Sequence, residues 1–380
     1  MGMKNYFISI RNFIEKKDTA FFCFIFTLCF LNIGLLALLT PHHQSVVKAT
    51  CQWDCFWYTS IVKNGYSTLP LLYDPNRLAQ ADWAFFPLYP VLSYSIQSIF
   101  HFSTLLSELA VNLVLWPVLI YLCYIELSER KIHVDRMVFA LFCVIYPFNI
   151  WYTAQLSEAT FGVLLMGLLV LLRKNILPWA GLICFFLSLS RPTGFLATLI
   201  IALWWFLKNA NIQSPALSWK QIWNPLQEST FLIACAGAGL SMYVLYLYHL
   251  VGDGFAFSHV EVGWQKHFQF FGKVVVKSLM HKHERIFGIF FLIACFFLYK
   301  MFKNKWYVNF SVVSFIMFIA ASTGIQSIER YAFSNPLLIE FIAIFTIKQP
   351  SKVRNIVLTS LLVLHIISIR MWFHGKIWLI

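Results

Sequence analysis

The sequence predicts an all-α, polytopic integral membrane protein: a helical bundle of about 10 to 12 membrane segments with a large first exocytoplasmic loop. Three observations carry this. Hydrophobic residues make up 59% of the 380 and charged residues only 12%, about half the roughly 25% charge of a soluble domain. The apolar residues lie in long blocks rather than alternating. Lys and Arg gather in short connections between those blocks, as the positive-inside rule expects of cytoplasmic loops.

The blocks, in order, are 19–40, 84–100, 137–157, 159–172, 176–190, 192–207, 229–251, 286–299, 306–328 and 355–369, none with an acid, Lys or Arg. A further block, 331–347, carries one acid, Glu340. A spanning helix needs about 20 mostly apolar residues, so the shorter blocks borrow flanking residues, thin the bilayer or stay inside the bundle. The first is too long for a signal peptide and no small-residue cleavage site follows it. It reads as a retained anchor behind Lys4, Arg11, Lys16 and Lys17. No internal repeat or soluble domain is visible, so 1–380 reads as one domain with two sizeable outer loops, 41–83 and 252–285.

The net charge of +13 follows from the loop arginines and lysines and does not require a nucleic-acid partner, which would want a basic face on a soluble domain. Counting the N-terminal four, the short basic loops at 130–136, 173–174, 208–220, 300–305 and 348–354 hold 17 of the 29 basic residues. The connections at 153–158, 190–194, 252–285 and 327–330 then face the exocytoplasmic side, as does 41–83. One conflict of parity follows: 84–100 and 104–125 cannot both cross if Arg130 and Lys131 are cytoplasmic. Either one is re-entrant or interfacial, or that basic loop breaks the rule.

Polar residues on the outer face stand out against this background. Asp54 lies in Cys51-Gln-Trp53-Asp54-Cys55-Phe-Trp57-Tyr58. An interfacial aromatic belt explains the rings, but an acid among them is costly without a partner or a task. Asp82 precedes Phe85-Phe86-Pro87-Leu88-Tyr89-Pro90, which reads either as a kinked helix start or as the bend of a cavity mouth. Glu158 and Arg191 each sit alone between apolar segments; a helix-start acid and a snorkelling arginine are the plain alternatives. Gly252-Asp253-Gly254 is a turn signal. Glu329-Arg330 opens another segment and has the plain reading of a weak surface pair. Charges from these separate stretches share one leaflet, as in a site assembled between helices.

In order along the chain, Trp53-Asp54…Trp57-Tyr58…Gly65-Tyr66, Phe85-Phe86-Pro87-Leu88-Tyr89-Pro90, Leu156-Ser157-Glu158-Ala159…Phe161, Ser190-Arg191-Pro192-Thr193-Gly194, Gly252-Asp253-Gly254-Phe255-Ala256-Phe257…Trp264 and Arg330-Tyr331…Pro336 resemble the GPI mannosyltransferase 2 (PIG-V-like) family and its prokaryotic relatives. These anchors run from residue 51 to about 336. The resemblance implies a GT-C glycosyltransferase that takes a sugar from a polyprenyl-phosphate carrier and inverts its anomeric centre. Its catalytic acid would be the one in the first exocytoplasmic loop, Asp54. Where relatives tend to read Gly-Asp-Pro, this chain has Gly252-Asp253-Gly254.

An inverting transfer of this kind needs a base, cations for the departing phosphate and exclusion of water. Asp54 is the expected base. Arg191 and Arg330 are expected at the donor phosphate, with Lys266 and His267 behind them. Glu158, Asp253, Trp53, Trp57, Tyr58, Asp82 and Tyr89 are expected to position sugar and acceptor. No metal or other cofactor is required. The expected partners are a polyprenyl-phosphate sugar, mannose favoured, a lipid- or glycan-linked acceptor and membrane lipids, in the plasma membrane of a prokaryote or the endoplasmic reticulum of a eukaryote. A transporter or lipid flippase is the alternative; it predicts broken helices near the midplane and often inverted repeats. Seven of the nine cysteines lie in apolar segments and act as small hydrophobes. Cys51 and Cys55 bracket Asp54. Free thiols are expected there, with a disulfide or a zinc site shared with His42 and His43 as alternatives.

Overall fold

The computed structural model describes residues 16–71, 79–210 and 219–375. Helix α1 (Lys16–Leu39) leads into two short outer helices, α2 (Val46–Thr50) and α3 (Cys55–Asn64). A 3-10 turn at Asp82–Ala84 precedes α4 (Leu88–Phe100), followed by the long α5 (Thr104–Glu129). Next come α6 (Arg136–Ile145), α7 (Ile150–Thr153), α8 (Glu158–Arg173), α9 (Leu177–Ser190) and α10 (Pro192–Asn209). Then α11 (Trp219–Val251), the one-turn α12 (Ala256–His259), α13 (Phe271–Met280), α14 (Arg285–Lys303) and α15 (Tyr307–Thr323) lead to α16 (Ile328–Phe333), α17 (Pro336–Ile347) and α18 (Ser351–Phe373). Among the described residues the only β-type pairing is the isolated bridge of Leu71 with Gln80.

The bundle is all-α, and its length and apolarity make it a multi-pass integral membrane protein. Five helices are long and apolar enough to cross a bilayer unaided: Asp18–Leu39, Thr104–Glu129, Gln221–Val251, Arg285–Lys303 and Ser351–Phe373. Arg136–Ile145 and Pro147–Thr153, bent by 66° at the break between them, together have the length and apolarity of a sixth, broken span or of a re-entrant loop. Pro147 causes the break, because a proline supplies no N–H to the turn before it. The sequence estimate of 10 to 12 also counted shorter apolar helices such as Leu177–Ser190, Tyr307–Thr323 and Pro336–Ile347. Helix α4, at 13 residues, is about 20 Å long and falls short of a hydrocarbon core of about 30 Å. It packs beside α3 and α5; a helix too short to cross leaves α5 as the one span of 84–129, the number that the expected sidedness needs.

Two ends of the bundle are distinguished by buried charge. Glu158 opens α8 and Arg173 closes it, so roughly 22 Å separates them along the axis. At the Arg173 end, Glu126 of α5 accepts from Arg173 Nε at 2.6 Å and lies 3.7 Å from Arg130. The Arg130 guanidinium stacks on Trp306 at 3.7 Å, and Asn309 donates to Glu340 at 3.2 Å. This network ties α5, α8, α15 and α17 together beneath the basic loops. Glu340, the lone acid of its apolar block, belongs to it.

At the opposite end the two outer loops cover the bundle. Asp82, 3% exposed, accepts from the Ser67 N–H at 3.0 Å and the Ser67 hydroxyl at 2.8 Å. Tyr243 donates to the Trp83 carbonyl at 2.8 Å, and Gln80 donates to the Gly263 carbonyl at 3.1 Å. Beneath these bonds Trp83, Phe86, Leu189, Tyr243 and Val260 form a satellite core. The described parts of these loops are therefore packed structure rather than tethers.

Candidate active site

Four stretches far apart in sequence are joined through Arg330 and Glu158. Arg330 lies in the short helix α16 and is 5% exposed. Its Nη1 donates to Asp54 Oδ2 at 2.5 Å, and its Nε donates to Glu158 Oε1. The same Glu158 oxygen accepts from Arg191 Nη1 at 3.0 Å. The result is a chain of alternating charge, Asp54–Arg330–Glu158–Arg191, held between the first outer loop and the starts of α8 and α10.

Local structure explains each placement. Asp54 precedes the first residue of α3 but makes no capping bond to that helix, because Oδ2 is committed to Arg330. Glu158 starts α8, where the helix dipole favours an acid. The turn before it is fixed by Asn112 of α5, which donates to the Leu156 carbonyl at 2.8 Å and also to that of Ala154. Tyr58 donates to the Ser157 hydroxyl at 2.9 Å. Arg191 has extended backbone and sits just before Pro192 at the start of α10, the first-turn position proline favours. Gly194 lets that turn close on α9: a Cβ there would come within 2.0 Å of the Leu187 carbonyl oxygen.

The quartet borders a cavity of about 540 Å³ lined by Trp53, Asp54, Trp57, Tyr58, Arg191 and Arg330 together with Trp264, Lys266 and Tyr331. Asp54 is 28% exposed there. Trp57 stacks on Phe85 with centroids 5.6 Å apart, and Trp264 meets both rings edge-on. Lys266 pairs with Glu261 at 2.7 Å. Burial works against the Lys266 charge, but Tyr331, Glu261 and Asp54 beside it overcome that and hold its pKa above the ordinary lysine range. Two buried donors at the site have no hydrogen-bond partner: Arg330 Nη2 and the Trp53 indole Nε1. Unsatisfied buried donors are costly.

The structure does not bring every expected residue to the cavity. His267 is exposed, with its backbone N–H on the Thr323 carbonyl at 3.2 Å. Asp253 accepts from the Phe255 N–H at 2.9 Å and pairs with His259 at 2.7 Å, closing the turn that Gly252, at φ 79°, allows. Asp82 is the loop strut described above; burial pushes its carboxyl up, against the lowering effect of Ser67. Tyr89 is fully buried and donates to the Glu108 carbonyl at 2.9 Å. Glu158 lies behind the lining as the link between the two arginines. Gln52, Glu261 and Gln326, which carried no sequence signal, line the cavity.

Cys51 and Cys55 form a disulfide, which corrects the expectation of free thiols. Sulfurs bonded to each other are not thiolate ligands, so the zinc alternative with His42 and His43 lapses as well. Among the described residues no group of three or more His, Cys, Asp or Glu is arranged to hold a metal ion.

No family model matches the chain, and no curated protein matches it in sequence. Two solved structures resemble its fold. One is the archaeal oligosaccharyltransferase AglB from Archaeoglobus fulgidus in complex with an inhibitory peptide and a dolichol-phosphate, at TM-score 0.49 and 10% identity, over 93% of this chain and 56% of that one. Another is the Archaeoglobus fulgidus oligosaccharyltransferase in complex with zinc and sulfate, at TM-score 0.41 and 13% identity, over 93% and 52%. The chain thus spans about half the length of either.

Proposed function

We propose that this chain is an inverting membrane glycosyltransferase of the GT-C type. It moves a hexose, mannose in first place, from a polyprenyl-phosphate-linked donor to a lipid- or glycan-linked acceptor on the exocytoplasmic face. One observation carries the proposal: a carboxylate, Asp54, meets a buried guanidinium from 276 residues away in an aromatic-walled cavity that Arg191 and Lys266 also line. The sequence resemblance supports the donor class and the inverting course.

In the proposed reaction an acceptor hydroxyl attacks the anomeric carbon from the face opposite the phosphate. The new C–O bond forms as the anomeric carbon–phosphate oxygen bond breaks, and the hydroxyl proton passes to Asp54. The leaving group departs as a lipid phosphate. Its gathering negative charge is met by Arg330, whose Nη2 is uncommitted, with Arg191 and Lys266 at the same cavity. Glu158 holds the two arginines at one oxygen, so their forks are oriented before the donor arrives. Trp53, Trp57 and Tyr58 offer ring faces to the sugar.

The test uses purified protein and a panel of polyprenyl-phosphate sugars, following release of free lipid phosphate. Asp54→Asn is expected to abolish transfer with normal expression; retained activity removes Asp54 from the base role. Arg191→Ala is expected chiefly to raise the KM for the donor. If no polyprenyl-phosphate sugar is consumed while a lipid crosses the bilayer in a liposome assay, the flippase reading takes its place.

A further inference from the structure

The base assigned to Asp54 lies inside a ring of five residues closed by the Cys51–Cys55 bond. We propose that this disulfide positions the carboxylate by holding Trp53 in a left-handed turn that sets Asp54 against Arg330. The inference rests on the role given to Asp54 above.

Trp53 has φ 55°, a region that is unfavourable for an L-residue and that bulky side chains rarely enter. Such a residue persists only where its surroundings over-determine it. Its indole N–H has no partner and Asp54 gives α3 no cap. The Trp53 ring packs against the core and Asp54 is tied to Arg330, contacts that hold the side chains while leaving the backbone of the turn without a side-chain bond. The backbone bonds across it, Cys51 N–H to Lys48, Cys55 N–H to Gln52 and Phe56 N–H to Trp53, are each 3.2 Å long. Both flanks are moored. Trp372 of α18 donates to the Thr50 carbonyl at 2.9 Å, and Thr59 of α3 donates to Glu108 of α5 at 2.9 Å. Between those moorings the covalent link across the turn is the bond between Cys51 and Cys55, which are 4% and 0% exposed. Left-handed non-glycine residues also adjoin the other cations: Gln265 at φ 60° precedes Lys266, and Ser327 at φ 65° opens the helix of Arg330. Only the turn at Asp54 carries a crosslink.

The experiment compares the full-length protein with its bridge intact and after treatment with a membrane-permeant dithiol. That reagent closes to a cyclic disulfide and delivers two electrons and two protons, leaving thiols at Cys51 and Cys55. A Cys51→Ser, Cys55→Ser double variant serves as a second route to the open state. Opening is expected to lower kcat by about ten- to a hundredfold, the scale of an ångström misplacement, with little change in the donor KM, since Arg191 and Lys266 stand outside the ring. Backbone amides 53–58 are expected to exchange hydrogen faster. Glycine adopts the left-handed region without penalty, so in Trp53→Gly the ratio of bridged to open kcat is expected to fall toward one. The idea is overturned if both cysteines alkylate without prior reduction, if the wild-type ratio is near one, or if Trp53→Gly leaves it unchanged. Should the bridged protein transfer no sugar from any donor, the glycosyltransferase reading fails. Exchange at 53–58 then decides the matter alone: faster on opening upholds the positioning role, unchanged overturns it.

Discussion

Arg330 serves two carboxylates through different nitrogens, Nε toward Glu158 and Nη1 toward Asp54. A guanidinium does this from separate nitrogens of one rigid plane, whereas a lysine ammonium would have to meet both acids from a single nitrogen on a flexible stem. Arg330→Lys is therefore expected to lose transfer about a hundredfold or more while keeping more stability than Arg330→Ala. The alanine form leaves Asp54 without its guanidinium and Glu158 with Arg191 alone and is expected to lose about 3 kcal/mol, the low end for a broken buried pair; parallel activity and denaturation series check both. Its neighbour in sequence has the opposite character. Glu329 is fully buried with neither oxygen hydrogen-bonded, and burial pushes its carboxyl up to about 8, against Arg330 nearby. In the unfolded chain it titrates near 4.3. Between roughly pH 5 and 8 the folded state holds the extra proton, so stability falls as pH rises through that window. Glu329→Gln is expected to flatten the decline of the thermal midpoint from pH 5 to pH 8; an unchanged slope removes Glu329 as its source. Sequence alone read Glu329-Arg330 as a pair of one kind. Which of two adjacent charges enters the site depends on helix phase and on what packs around them, and neither is written in a dipeptide.

The hairpin of α9 and α10 depends on how closely the two helices meet at Gly194. An added methyl would lie 2.0 Å from the Leu187 oxygen, so Gly194→Ala must part the helices where Arg191 is held. Overpacking of this kind costs about 1–3 kcal/mol. The donor KM is expected to rise more than that loss of stability alone explains, and equal KM values at matched folded fraction would refute it. Asn112 has a comparable duty toward the turn that carries Glu158. Asn112→Leu leaves the Leu156 carbonyl without its donor, while that of Ala154 keeps the Leu156 N–H at 2.8 Å, and is expected to cost about 1–3 kcal/mol, read by denaturation in detergent. At this scale the elements themselves were legible, because a charge between two apolar blocks marks a helix end. Their couplings were not. Asn112 lies mid-block with no periodic signal, and Trp372 reads as one more interfacial ring until its bond to Thr50 is seen.

Across the whole molecule, composition and block length carried the fold class, and the crowding of odd charges on one face foretold a shared site. The disposition of Asp253 and His267 was beyond sequence reasoning, since a turn residue and a site residue use the same atoms. The length of α4, on which the parity count turns, depended on where proline and His101, at φ 54°, begin and end it. Sidedness is open to direct measurement in intact cells. Asn64→Cys is expected to react with an impermeant maleimide from outside, and Lys131→Cys only after permeabilisation; the reverse pattern would invert the bundle.

The 276-residue gap between Asp54 and Arg330 also has a meaning in time. At roughly 5–20 residues per second, a ribosome makes the acid about 14 to 55 s before its guanidinium. Through that interval the emerging chain carries a solitary anion at the bilayer rim, and no prematurely released fragment ending before residue 330 owns the partner it needs. Under the proposed mechanism competence arrives only once residue 330 is in place, so fragments that end before it are expected to be inert.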